Sequence, residues 1–270
     1  MHMIDDAAKQ LFRETVWEYY RAHGRHDLPW RQRFDPYAVT VSELMLQQTQ
    51  VRRVIPKYEE FLEKFPDVQS LAATPSGDVL RAWSGLGYNR RAQFLWQAAR
   101  QITAEHGGTF PATLEELVKL PGIGPNTAGA IMAYAYEKPT VFLETNIRTV
   151  YIHHFFHDQT DVPDKAISEL VAKTLEREHT REWYWALMDY GAHLKKSVGN
   201  LNRFSKSYNR QSTFEGSRRQ IRGQVLRLLG ERPQTLVALE KLIADSRLAA
   251  VIDDLTQEGL IRKQGRTYRL

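Results

Sequence analysis

Leu120-Pro121-Gly122-Ile123-Gly124-Pro125-Asn126-Thr127-Ala128-Gly129-Ala130-Ile131 is the stretch whose reading decides the fold. A helix ends at Pro121-Gly122, Gly122-Ile123-Gly124 makes a hairpin, and a second helix starts at once. The two glycines let the backbone turn tightly and approach another surface with no Cβ in the way. N–H groups at the start of the second helix then point outward, where hydrogen bonding and the helix dipole favour a phosphate. Contacts of that kind position a nucleic acid without reading its sequence. Ala128 and Gly129 are small enough for the second helix to pack closely, which sets the pattern apart from an ordinary helix–turn–helix connection.

Outward from the hairpin, helical periodicity dominates. An amphipathic N-terminal helix marked by Leu11, Val16 and Tyr19 runs out at Gly24, and Asp27 to Arg31 is turn-like. Helices are predicted over 39–49, 51–65, 76–84, 89–106, 113–119 and 125–136, separated by prolines and paired glycines. Three more cover 145–156, 163–177 and 180–194. The expectation is an all-α body with short connections.

Residues 196–216 are poor in large aliphatics and read as a basic linker or irregular loop. Helices follow over 218–229, 235–243 and 246–257, and strands at 260–263 and 266–270 flank a Gly-containing turn. Three helices and a terminal hairpin describe a small winged-helix-like module. Its third helix often enters the major groove, yet here it carries Asp253 and Asp254, and such modules also dock proteins. The predicted division is 1–195, 196–216 and 217–270.

The 270 residues suffice for one large domain and a small one, and 42% hydrophobic with 26% charged residues is a globular balance. No apolar stretch reaches bilayer length and no signal-peptide pattern opens the chain. A cytoplasmic, monomeric protein is expected, nucleoid-associated if prokaryotic. The absence of cysteine excludes disulfides, thiolate nucleophiles and cysteine-ligated metal or iron–sulfur sites. The formal charge is +5 but uneven: nine basic residues against Glu215 alone give +8 between Lys195 and Arg227, leaving −3 elsewhere. Such a stretch suits a polyanion, or else is a solvated linker.

Beside the hairpin stand four further strings: Leu28-Pro29-Trp30-Arg31, Ser42-Glu43-Leu44-Met45-Leu46-Gln47-Gln48-Thr49-Gln50-Val51, Gly85-Leu86-Gly87-Tyr88 and Met188-Asp189-Tyr190-Gly191-Ala192. With these the chain resembles the helix-hairpin-helix (HhH-GPD) DNA glycosylase superfamily over about residues 12–195, and within it the MutY-like adenine glycosylase branch. The resemblance implies that Glu43 protonates a flipped base and later activates water. Cleaving an N-glycosidic bond needs a protonated leaving group and a stabilised oxocarbenium-like sugar. A carboxyl among neighbours such as Leu44 and Leu46 can have its pKa raised for that work. Glu144 stands where most of the superfamily has Asp, at a helix start facing the sugar. It is either a catalytic carboxylate in a rebuilt pocket or an N-cap-like structural acid. Asn146 matches a family residue that organises this turn.

Asn126 occupies the position where bifunctional members carry a Schiff-base Lys, so lysine-dependent strand cleavage is not expected. Gln48, Thr49, Leu86 and Tyr88 match residues that invade the base stack after a base is extruded. Tyr88 has the alternative of a core aromatic capping a helix. Gly122, Gly124, Asn126 and Thr127 complete the expected DNA contacts, and Leu46, Trp30 and Arg31 the expected pocket. Relatives hold an iron–sulfur cluster with four Cys, whereas Lys195 stands at the first such position here. No cofactor and no side-chain metal site are expected, at most a monovalent cation on the hairpin backbone. The segment 217–270 is too short for the domain with which many relatives check for 8-oxoguanine. The expected partner is double-stranded DNA with a mismatched or damaged base. Three readings follow: adenine excision opposite guanine or 8-oxoguanine, thymine or uracil excision opposite guanine, and a non-catalytic DNA-binding protein on the same scaffold.

Overall fold

The computed structural model describes residues 4–156 and 159–270. Among them helices dominate and a single small sheet closes the chain, an all-α body with a winged-helix-like end. No helix among the described residues is long and apolar enough to cross a membrane. The chain forms two compact units. The first comprises the residues up to Val39, Ala112–Val118 and Ile123–Arg210; the second comprises Thr40–Pro111, Lys119–Gly122 and Gln211–Leu270.

In the first unit α1 (Asp6–His23) starts at Asp5, whose carboxylate accepts from the Ala8 N–H at 2.7 Å. This satisfies one of the four orphan donors of the helix start. Its buried face is Phe12, Val16 and Tyr20, while Leu11 is 66% exposed. The expected face through Leu11 and Tyr19 is thus rotated by one residue, because Phe12 buries the larger ring. Phe12 meets Tyr151, Phe155 and Trp183 with centroids 5.0–6.0 Å apart. These rings come from α9 (Thr145–Phe155) and α11 (Thr180–Ser197). Truncating one buried aromatic of this kind costs about 3–5 kcal/mol. The unit also holds α7 (Leu114–Leu117), α8 (Pro125–Tyr134) and α10 (Asp164–Thr174), and α2 (Pro36–Leu46) begins in it.

Gly191 explains part of the Met188–Ala192 string. A Cβ there would lie 2.2 Å from the Asn146 carbonyl oxygen, so α11 passes the start of α9 only with glycine. Asp189, two residues earlier, is buried and held by Arg25 and Arg31, with Arg31 Nη1 at 2.8 Å. The stretch read as an irregular basic loop is partly docked. Leu201–Phe204 is a 3-10 turn whose buried Asn202 donates to Thr149 Oγ1 at 2.8 Å, and Ser205 bridges to Val162. Residues 206–216 are exposed.

The second unit contains α3 (Val51–Lys64), α4 (Val68–Ala73), α5 (Ser76–Ala82) and α6 (Arg90–His106). Its core includes Tyr58, Phe61, Trp83, Leu95 and Ile102. Helix α4 was not expected between Pro66 and Pro75. Its signal is the reciprocal capping box of Asp67 and Ser70, outside the Glu/Gln form that is most readily noticed. The C-terminal part has the order α12 (Arg218–Glu231), β1 (Gln234–Thr235), α13 (Leu236–Leu242), α14 (Leu248–Gln257), β2 (Arg262–Gln264) and β3 (Thr267–Arg269). The antiparallel sheet runs β1-β3-β2, so the expected hairpin carries a third strand. Two residues of β1 are too few for an alternating pattern to register. Arg81 of α5 donates to the Gly230 carbonyl at 3.1 Å, one tie of this module to the rest of the unit.

Candidate active site

The hairpin begins with Gly122 at φ +76°, a region that L side chains rarely adopt. A Cβ at this position would also lie 2.5 Å from the Phe94 Cβ, so glycine is required twice over. Gly124 is the N-cap of α8 and Pro125 fills its first turn, where a missing N–H costs nothing. Gly124 has open space around it and no side chain caps the helix, which leaves the α8 N-terminus for an outside partner. Thr127 is buried, so its side chain packs inward and only its backbone belongs to the helix start.

Asn126 is exposed, yet its Oδ1 accepts from the Leu143 N–H at 3.1 Å. This ties the first turn of α8 to the residue before Glu144. Glu144 is the N-cap residue of α9 and is half-buried. Burial pushes its carboxyl above the usual carboxylate range, against the opposing pull of Arg148 and a bond from the Thr145 backbone. Arg148 is itself engaged by Asp164 at 2.9 and 3.0 Å. Asn146 lies in the first turn of α9 with its carbonyl against Gly191. Asn126→Ala is expected to strip the Leu143 N–H of its acceptor. Leaving a buried donor unsatisfied costs about 1–3 kcal/mol, readable as a lowered denaturant midpoint at unchanged m-value.

In the second unit, Glu43 is half-buried on α2 between the buried Ser42 and Leu44, and Leu46 ends the same helix. Gln48 follows at φ +55° and is exposed. The other expected stack-invading loop carries Gly85 at φ +95°, Gly87 at φ +75° and Tyr88 at φ +48°. A side chain in this left-handed region costs about 1–2 kcal/mol, and Gln48 and Tyr88 both bear that strain. One residue holds the two loops. The buried Arg91 guanidinium donates to the carbonyls of Leu44, Met45, Gln47, Gly87 and Tyr88 and to Thr49 Oγ1, at 2.5–3.3 Å. Thr49 Oγ1 in turn donates to the Leu86 carbonyl at 3.3 Å. Burial pulls the Arg91 guanidinium down to about 10, so it stays charged at neutral pH.

Arg91 was absent from the expected site. The visible signal is a basic residue in the first turn of a helix, where the dipole disfavours it, directly after the Gly85–Tyr88 string. A cation in that place needs acceptors. Tyr88 is 39% exposed, and its hydroxyl is bonded by Arg219 at 2.6 Å and by Gln211. The alternative of a core-capping aromatic does not fit that exposure.

Leu86 and Arg31 have different surroundings from those foreseen. Leu86 is 3% exposed: its side chain packs in the core, and its carbonyl does the holding through Thr49. Arg31 is buried, and its two terminal nitrogens donate to Asp189 at 2.8 and 2.9 Å. Trp30 is buried beside it on the same 3-10 turn. Among the described residues no group of His, Asp and Glu converges to hold a metal ion.

The family model described as HhH-GPD superfamily base excision DNA repair protein matches residues 41–176. The chain is 36% identical over 215 residues to the adenine DNA glycosylase of Buchnera aphidicola subsp. Baizongia pistaciae, covering 76% of this chain and 60% of that relative. It spans 55% and 42% of the adenine DNA glycosylases of two other Buchnera strains. With the enzyme of that name from Mycolicibacterium smegmatis it shares 32% identity over 263 residues, 89% of each chain. A solved thermostable thymine-DNA glycosylase superposes with TM-score 0.61 at 25% identity, covering 69% of this chain and 87% of that one. An endonuclease III in a non-covalent DNA complex, at TM-score 0.57 and 18% identity, shares the fold. Carried by the hairpin, the Glu43 string and these likenesses together, this chain belongs to the HhH-GPD superfamily of base excision DNA repair proteins.

Proposed function

We propose that the protein is a monofunctional DNA glycosylase that flips a mispaired base from duplex DNA and hydrolyses its N-glycosidic bond, with adenine opposite guanine or 8-oxoguanine as the substrate. The carrying observation is Glu43, half-buried on an apolar helix within the matched family segment, in relatives named adenine DNA glycosylases. Glu43 gives a proton to the departing base, and the C1′–N bond breaks with its electron pair leaving on the base. Glu144 offers negative charge to the oxocarbenium-like sugar, and water, deprotonated by Glu43, completes the hydrolysis. The α8 N-terminus takes a DNA phosphate, and Tyr88 with Gln48 fills the gap that the flipped base leaves. Asn126 has no amine, so no Schiff base forms at this position and the sugar–phosphate strand stays intact. A four-thiolate iron–sulfur cluster has no ligands in a chain without cysteine, and none of these steps uses one.

Base release from a panel of duplexes tests the reading. Adenine should be freed opposite guanine or 8-oxoguanine, with strand breaks only after alkali. A second reading, thymine or uracil removed opposite guanine, draws on the likeness to the thymine-DNA glycosylase and on Glu144 and Asn126. Release of pyrimidines with adenine retained would select it.

Glu144 also yields a pH prediction. A carboxyl with a raised folded-state pKa opposes folding once it ionises in the unfolded chain. Glu144→Gln should therefore be more stable than wild type at neutral pH, by a margin that closes as pH falls below 4.5, the ordinary value for this group. The same substitution should slow base release, because the charge facing the sugar is gone. Thermal unfolding across pH, read beside single-turnover rates, separates the two effects.

A further inference from the structure

We propose that the β2–β3 hairpin of the C-terminal module, rather than its third helix, is a contact surface for the phosphate backbone of duplex DNA. The inference rests on the reading of the chain as a DNA-acting protein.

Helix α14 is ill suited to a polyanion. Residues 248–257 contain no basic side chain. Its exposed positions are Ala249, Ala250, Asp253, Thr256 and Gln257. The acids at its end are occupied inside the unit. Asp254 is bonded by Arg218, and Glu258 by Arg222, while the Glu258 carbonyl accepts from Gln93 Nε2 at 2.8 Å. These pairs also neutralise part of the basic stretch that the sequence had singled out: Arg218, Arg222 and Arg227 each have an acid partner, the last Glu231.

The hairpin is the reverse case. Residues 261–270 carry Arg262, Lys263, Arg266 and Arg269 and no acid. Arg262 and Arg269 are direct cross-strand partners, so their side chains share one face of the antiparallel pair. Like charges placed opposite each other destabilise a hairpin. Among the described residues neither forms an ion pair. Arg269 instead donates to Gln264 Oε1 at 2.7 Å, on that same face. Arg266 sits at the tip beside Gly265 (φ +59°), and Arg262, Lys263 and Arg266 are exposed. Lys263 lies on the opposite face, 5.8 Å over the Tyr268 ring. Positive charge without an acid partner on this short ribbon is relieved when phosphates lie along it.

The test measures binding of the full chain to a short undamaged duplex across a salt series, for wild type and for Arg262→Gln/Arg266→Gln/Arg269→Gln. Loss of three phosphate contacts should lower the slope of log Kd against log salt by about 2–3 and weaken binding at the lowest salt by about 10–100-fold. Thr256→Ala/Gln257→Ala on α14 should bind as wild type does. The charge-keeping triple Lys variant should retain the slope, which separates charge from hairpin integrity. Unchanged slope and Kd in the Gln variant overturn the proposal and leave the DNA reading standing, as does equal weakening in the Lys variant. Failure of wild type to bind any duplex overturns both.

Discussion

Glu43→Gln should lower the single-turnover rate of base release by about 10³-fold or more while leaving affinity for the mismatched duplex within a few-fold; a positioned general acid–base group contributes roughly 10²–10⁴, and this one is assigned two steps. Glutamine keeps the length, planarity and hydrogen-bonding reach of glutamate. It has no proton to give to the departing base and cannot take one from water. The surroundings make this a clean experiment. Glu43 is half-buried on α2, between Ser42 at 3% and Leu44 at 1% exposure, so its neighbours hold the helix whichever side chain occupies the position. A structural role would appear as lost stability or lost binding, whereas a chemical role appears in the rate alone. A variant releasing base as fast as wild type sinks the role assigned to Glu43, whereas wild type releasing no base from any duplex would leave the non-catalytic reading.

The hairpin was legible because its chemistry is local. Gly122 needs a positive φ, Pro125 needs a helix first turn, and both needs are written in consecutive residues. The helical body was legible for the same reason, since periodicity is a property of a window. Contacts across the chain were not. Nothing local to Leu86 says that its side chain turns into the core while Tyr88, two residues on, stays exposed. Arg31 reads as a polar residue beside an aromatic until Asp189, 158 positions away, takes its guanidinium. Helix α4 escaped because two prolines looked like separators, whereas each simply flanks a six-residue helix closed by Asp67 and Ser70. The charge count was blind to distant partners in the same way. A count along the sequence finds nine basic residues and one acid between Lys195 and Arg227, but the acids that neutralise Arg218 and Arg222 come from α14 and its end.

Arg91→Met should both destabilise the protein by about 3–5 kcal/mol, since each buried acceptor left unsatisfied costs about 1–3 kcal/mol, and slow base release at saturation by about 10²-fold, the scale of an ångström-level misplacement. Methionine fills much of the same volume, so the loss reports the guanidinium rather than a cavity. Two of the six acceptors are carbonyls in the last turn of α2, which have no partner within the helix. Fixing them fixes the end of the helix that carries Glu43. The other four belong to Gln47, Thr49, Gly87 and Tyr88, in the two turns that hold Gln48 and Tyr88 at positive φ. Strained turns relax when their fastening goes. The acid-bearing helix and the two stack-filling loops should therefore loosen together. Arg91→Lys discriminates between charge and shape. An ammonium is a compact donor of three hydrogen bonds and cannot span two turns as a planar fork does. It should recover part of the stability and little of the rate. If Lys restores both, the site needs only a buried cation, and the geometric coupling of Glu43 to the loops through Arg91 is wrong.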